Sequence, residues 1–200
     1  MPSLSNLSQP TIRERLTLAA LAEAEAFGFE GFSMRRVANA CGVSCAAPYK
    51  HFKNKSELLA SVISYINEKW LERQEKTIAR FADAPLRRQL VELSREYVRF
   101  MVENPRFLAV WTAKGQTGGV DYLPVKAKTS ELSKALLRQY CDEFGVPEET
   151  ARAKMYVVRS LIYGAALMFC NGDLPYDENS LQFVADFVDR EFDLLHFSPN

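Results

Sequence analysis

Histidine is scarce in this chain, with only His51 and His196 among 200 residues. No nucleophile motif, paired-carboxylate constellation or metal-ligand cluster stands out either, so catalysis has little material, and no cofactor or metal is implied. The Gly-rich segment Gly115-Gln116-Thr117-Gly118-Gly119 lacks the Lys-Ser/Thr of a phosphate loop and reads as a flexible break. Four cysteines, Cys41, Cys45, Cys141 and Cys170, show no paired spacing. That argues against a disulfide scaffold and for the reducing cytoplasm. No unbroken apolar run of about 18 residues occurs, so no membrane span is expected. Met1 to Pro10 is polar, without a signal-peptide core. Net charge is absent too, since 25 basic residues balance 25 acidic ones.

The distribution of that charge is informative. Between Gly31 and Ser56 there is no Asp or Glu, whereas Arg35, Arg36, Lys50, Lys53 and Lys55 are all cationic. Near the other end Asp173, Asp177, Glu178, Asp186, Asp189, Glu191 and Asp193 face only Arg190. Such asymmetry turns the basic end toward phosphate and keeps the acidic end away. With 48% hydrophobic residues the chain has enough apolar material for a sizeable core, in one or two domains.

Residues 33–59 carry the strongest local signal. Ser33 is placed to cap a short helix beginning at Met34, whose buried side is Val37 and Ala38. Gly42 ends that helix where a left-handed backbone is wanted. Val43 plugs the turn, and Ser44 is a natural cap for a second helix over Cys45 to about Phe52. Pro48 forfeits one early backbone bond and makes the start of that helix irregular. Two short helices around a sharp glycine turn, with an unopposed basic face, suit the wall of a DNA duplex.

Thr11 to Leu59 resembles the DNA-binding domain of the TetR (tetracycline-repressor) family. The matching pieces are Thr11-Ile12-Arg13-Glu14, Phe27-Gly28-Phe29, Ser33-Met34-Arg35, Val37-Ala38, Gly42-Val43-Ser44, Tyr49, His51-Phe52, Lys55 and Leu58-Leu59. The resemblance implies an all-helical homodimer: a three-helix helix-turn-helix domain, here 9–55, and a helical effector-binding and dimerisation domain, 56–200. It further implies binding to a near-palindromic operator in double-stranded DNA and release by a small-molecule effector, as a repressor. Position by position, Arg35 resembles the family residue that reaches a base or phosphate, and Cys45 and Ala46 lie where relatives touch bases. Those two offer only apolar contact here, which leaves the operator sequence open. Lys50 adds a base or phosphate contact. Thr11, Ser33, Ser44, Tyr49, His51 and Lys55 form the backbone-positioning set. Tyr49, His51 and Phe52 are equally able to serve as packing residues of the head.

The remainder reads as helices: Ile12 to Phe27, Ser56 to about Phe81, Pro85 to about Glu103, Pro105 to Trp111, Val125 to Phe144, Pro147 to Phe169 and Asp177 to Phe197. No strand series appears. Tyr65, Tyr97, Phe100, Met101, Phe107, Trp111, Tyr156 and Tyr163 are material for an apolar effector cavity or for plain core. Arg159, midway in an apolar helix, is placed to meet an acidic ligand or a buried carboxylate. The last two helices carry broad apolar stripes. The resemblance implies that Ile162, Ala165 and Phe169 on one, with Val184, Val188, Phe192 and Leu195 on the other, form the dimer surface, whereas periodicity alone equally allows packing within the chain's own core. Two other readings stay open: a thiol-redox regulator using Cys41 and Cys45, and a small-molecule-binding protein with a vestigial head.

Overall fold

A computed structural model describes residues 9–112, 116–117, 120–121 and 130–193, and these are overwhelmingly helical. The helices are α1 (Ile12–Phe27), α2 (Met34–Ala40), α3 (Lys55–Arg80), α4 (Leu86–Glu103), α5 (Pro105–Thr112), α6 (Glu131–Phe144), α7 (Glu148–Asn171) and α8 (Glu178–Asp193). A two-residue ladder, β1 (Gln116–Thr117) with β2 (Val120–Asp121), is antiparallel. It stands where the glycines predicted a flexible break. The expected helix from Val125 is described from Glu131 onward. The side chain of Trp111, and Leu195 and His196, lie outside the described residues.

The chain divides into two compact units, Met1–Ile66 with Ala109–Lys126, and Asn67–Leu108 with Ala127–Asn200. The division runs through α3.

In the first unit, α1 starts with a reciprocal cap. The Glu14 backbone N–H donates to Thr11 Oγ1 at 3.2 Å, and the Thr11 N–H donates back to Glu14 Oε2 at 2.7 Å. This satisfies two of the orphan amides of the first turn and holds the Glu14 carboxyl below its ordinary range. The core joins Leu16 and Ala20 of α1, Val37 and Ala38 of α2, Phe52, and Leu58, Leu59, Val62 and Ile63 of α3, all essentially inaccessible. Ala38 is small enough to admit its neighbours, as the sequence predicts.

In the second unit, α4 packs against α6, α7 and α8. Leu181, Val184, Ala185, Val188 and Phe192 turn the inner stripe of α8 into this core. Here the charge reading is corrected. The acidic C-terminal region is matched by cations on α4 and α7. Arg87 holds Asp189 and Asp193 at 2.7 and 2.6 Å, Arg95 and Arg99 hold Glu178, and Lys154 holds Glu191 at 2.9 Å. Arg87 keeps the Asp189 carboxyl below the usual carboxylate range. Individually such surface pairs contribute at most about 1 kcal/mol. Their effect is to fix α8 on α4 in one register.

α7 is long and apolar enough, by length and composition, to meet a membrane-span criterion, and little of it is buried. The apolar-run reading missed it because Arg159 interrupts the stretch. A charge at the bilayer centre costs about 2.5–3.5 kcal/mol or more, which disfavours that use. The alternative is another protein surface.

Candidate nucleic-acid interface

The reading turn departs from the predicted helix. From Ser44 to Phe52 the backbone is bonded mostly in three-residue steps: Ala47 N–H to Ser44 O, Tyr49 N–H to Ala46 O, Lys50 N–H to Ala47 O and His51 N–H to Pro48 O. Only Phe52, whose N–H donates to Pro48 O at 2.9 Å, closes an α-type bond. The regular part is a single 3-10 turn, Pro48–Lys50. Pro48 is the cause. It brings no N–H, and its ring opposes α geometry in the residue before it. Pro48 itself is buried, so it also anchors the turn. Ser44 makes no side-chain cap here, contrary to expectation, because no α-helix begins after it.

What holds so short a turn is supplied by α1. Arg13 donates to the His51 carbonyl at 2.6 Å, and its guanidinium lies 4.4 Å from the centre of the Phe52 ring. Arg15 donates to the Cys41 carbonyl at 2.6 Å, while the Cys41 thiol donates back to the Arg15 carbonyl at 3.4 Å. The two arginines therefore grip the carbonyls that flank the turn, ten residues apart. Gly42 lies between them at φ 66°, the left-handed conformation that glycine adopts without a Cβ penalty. The next helix is capped by Asn54, whose Oδ1 accepts from Glu57 N–H at 2.9 Å, while Glu57 accepts from Lys53 N–H at 2.7 Å.

The predicted contact residues separate into two groups. Arg35, Ser44, Cys45, Ala46, Tyr49 and Lys50 are exposed, Tyr49 with 58% of its surface open. An open tyrosine of this size is not a packing residue. Phe52 is, at 1% exposure. Thr11 and Ser33 already spend their hydroxyls on helix caps, Ser33 on the Arg36 N–H at 3.4 Å. His51 is half-buried, and Lys55 sits 5.6 Å from the centre of the Phe32 ring at the start of α3.

The basic face is not wholly unopposed. Arg36 is bound by Glu23 of α1, whose carboxylate also accepts from the Ser33 N–H at 3.0 Å. Arg36 thus belongs to the framework, and Arg35 is left as the outward cation of α2. The sequence does carry a signal for this. Glu23 follows Leu16 and Ala20 at seven and three residues, so helical spacing puts it on their apolar face, and a buried carboxylate demands a partner. Arg13 and Arg15 had no comparable signal, since their acceptors are backbone carbonyls.

The dependence of the turn on α1 is testable. Arg13→Gln should weaken duplex binding by about ten-fold, the loss of one charge-assisted hydrogen bond and its ring contact. Hydrogen exchange at His51 and Phe52 should accelerate in the same variant. Unchanged exchange and affinity would show that the turn holds without the strap.

A compact helical head with an exposed, cationic turn has the architecture of the helix-turn-helix class of DNA-binding domains. Residues 16–62 match the model of bacterial regulatory proteins of the tetR family. Solved structures extend the likeness over the whole fold. A TetR family transcription regulator from Marinobacter aquaeolei VT8 is 17% identical, with TM-score 0.73, over 90% of this chain and 94% of that one. The fatty acid degradation regulator FadR from Bacillus halodurans is 16% identical, with TM-score 0.64, over 93% and 98%. FadR from Bacillus subtilis, solved in complex with stearoyl-CoA, is 16% identical, with TM-score 0.66, over 93% and 98%. No curated protein matches the chain. The chain carries a tetR-family N-terminal domain and has the fold of the TetR-family transcription regulators.

The residues assigned to effector binding are dispersed. Tyr97, Phe100, Met101, Phe107 and Tyr163 lie in the second unit, with Phe100, Met101 and Phe107 buried. Tyr65 belongs to the first unit, and Tyr156 is exposed at 76%. Exposure of that size places Tyr156 on the outside of the chain and not in a core cavity. The dimer assignment also divides. Phe169, Val184, Val188 and Phe192 are buried within their own chain, so the inner stripe of α8 is core. Ile162 and Ala165 are half-buried. The open apolar residues are instead Tyr156, Val157, Leu167 and Met168 on α7, and Phe183 and Phe187 on α8.

Proposed function

We propose that this protein is a DNA-binding transcriptional repressor that reads a near-palindromic operator as a homodimer and is released by a small-molecule effector. The observation that carries the reading is the exposed row Arg35, Cys45, Ala46, Tyr49 and Lys50 over the buried Val37–Ala38–Phe52 core. Lys50 and Arg35 supply phosphate or guanine-edge contacts, and Tyr49 a hydroxyl for the backbone. Cys45 and Ala46 offer the duplex small apolar surface, which suits a thymine methyl. A dimer places two such turns one helical repeat apart or a multiple of it, which the symmetry of an operator mirrors.

Support for the homodimer is the open apolar face of α7 and α8, where Gly164 has nothing within 4 Å of the position its Cβ would take. Support for an effector is the aromatic interior of the second unit, and a relative of the same fold holds stearoyl-CoA. Effector binding shifts the population of head orientations through α3, which runs from one unit into the other. The redox reading loses one of its two thiols, because Cys41 is buried and its thiol is pushed up by that burial, away from the reactive thiolate, which leaves only the exposed Cys45.

Selection from a random duplex pool tests the proposal. An enriched near-palindrome bound with steep salt dependence is the expected result. Lys50→Ala should lower the slope of log affinity against log salt by about one. Tyr49→Ala should weaken all sequences about equally, and Arg35→Ala should in addition relax preference at one operator position. No enrichment and no salt-sensitive binding would refute the reading.

A further inference from the structure

One aromatic wall in the second unit ends in polar groups that the fold does not use. Trp70 of α3 meets Tyr97 of α4 edge-on at 5.4 Å between ring centres and tilts against Phe100 at 5.2 Å. Phe100 meets Phe107 of α5 at 5.5 Å. Tyr97 stacks on Tyr163 of α7 at 6.4 Å. Trp70, Phe100 and Phe107 are buried at 5%, 3% and 8% exposure. Arg159 precedes Tyr163 by four residues within α7, so the two side chains share one helix face.

The polar end is one guanidinium, which only donates, and two phenol hydroxyls, each of which has a proton to donate. Burial pushes the phenol of Tyr97 far up, and that of Tyr163 up as well, although the positive charge of Arg159 opposes both shifts. Both hydroxyls are therefore neutral donors at physiological pH. Arg159 is itself exposed. Among the described residues it meets no carboxylate, and neither hydroxyl has a hydrogen-bond partner. The contrast with α4 is direct, because Arg87, Arg88, Arg95 and Arg99 each hold an acid. The unpaired positive charge of Arg159 calls for an anion, and acceptor oxygens on that anion can take the two O–H donors as well. One cation matches one negative charge. A phosphate monoester, with close to two charges near neutral pH, would leave part of its charge unmatched.

We propose that Arg159, Tyr163 and Tyr97 form the polar end of the effector site, that Trp70, Phe100 and Phe107 form its apolar wall, and that the ligand is an apolar molecule bearing a carboxylate. The inference rests on the effector-released reading given above and names the class of effector. The carboxylate stays at the exposed guanidinium, where its desolvation cost is small, while its apolar body works against the rings. Recognition is by the fork geometry of arginine, which a lysine reproduces only as a point charge.

The full-length protein with Trp111→Phe reports on Trp70 alone by fluorescence. Its titration with decanoate and 4-phenylbutyrate should give saturable changes, and methyl decanoate and 4-phenylbutanol should bind at least about ten-fold more weakly, the value of a charge-assisted pair. Arg159→Gln should abolish that preference, with Arg159→Lys retaining part of it. Because Arg159 is exposed, its loss leaves the fold intact, which circular dichroism checks. Equal binding of carboxylates and neutral analogues, no binding by any of the four, or an unaltered preference in Arg159→Gln would overturn the proposal. Duplex binding by the same samples separates the two readings. Carboxylate preference without any salt-sensitive duplex binding would remove the regulator and leave the carboxylate site. Duplex binding without carboxylate preference would do the opposite.

Discussion

Arg36→Ala should destabilise the head by about 2–4 kcal/mol, although it removes a side chain that is half in solvent. The cost falls on its partner. Glu23 is buried at 8% exposure, and its Oε1 accepts from Arg36 Nε at 2.8 Å, from a second guanidinium nitrogen and from Ser33 N–H at 3.0 Å. Without Arg36 the carboxylate keeps one backbone donor and loses its neutralising charge. Removing one partner of a fully buried pair costs about 3–5 kcal/mol, and water reaching the exposed guanidinium here lowers the expected value. Arg36 also donates to the Gly31 carbonyl and lies 4.0 Å from the centre of the Phe27 ring, so the link between α1 and α2 loosens as well. Glu23→Gln in the Arg36→Ala background should recover part of the loss, because a neutral amide is cheaper to bury than an unpaired carboxylate. Lys53→Ala, on an exposed cation of the same run, should stay within about 0.5 kcal/mol of wild type. Hydrogen exchange along α1 measures all of these on the intact chain. An Arg36→Ala protein as protected as wild type would show that Glu23 needs no counter-charge.

Arg36 also shows what a sequence reveals of a site and what it hides. Local rules worked where causes are local. Ser33 caps α2 and Gly42 takes the left-handed turn. Gly28 and Gly145 end α1 and α6 at the expected places. The ends of the long helices followed the same punctuation, with Asn104 and Pro105 dividing α4 from α5. The periodic stripe of α8 was also legible, but periodicity reports an apolar face without saying what covers it. Val184, Val188 and Phe192 turned out to face their own core, while Phe183 and Phe187, which widen the stripe, remain open. Long-range pairing was the least visible layer. A count of charges by position left the acidic C-terminal region unmatched, whereas Arg87, Arg95 and Arg99 reach it across more than 70 residues of chain. Pro48 is the intermediate case. Its missing N–H was foreseen as an irregular helix start, and the consequence is larger, because a segment this short has too few remaining bonds to close an α-helix.

Phe183→Glu combined with Phe187→Glu should convert the protein to a monomer and reduce operator affinity by at least about a hundred-fold, the gain that linking two binding modules provides. Both rings are on the outside of α8, at 62% and 52% exposure, four residues apart and therefore on one face. Two neighbouring open rings, with Leu167 and Met168 of the preceding helix also open at 41% each, are unusual unless something covers them. A second copy is the natural cover, because a two-fold contact brings the same patch from both chains together. Introduced glutamates would then meet each other across the axis, where like charges repel and are desolvated. The monomer itself should be spared, since neither ring contributes to the buried stripe of α8. Val188→Glu is the informative contrast, because that side chain is fully buried and its replacement should unfold the second unit instead of dissociating two folded chains. Light scattering coupled to size exclusion reads the mass, and titration of the selected operator reads the affinity. A double variant that remains a dimer with wild-type operator binding would move the interface elsewhere. A monomer that still binds the operator at full strength would detach duplex reading from two-fold symmetry.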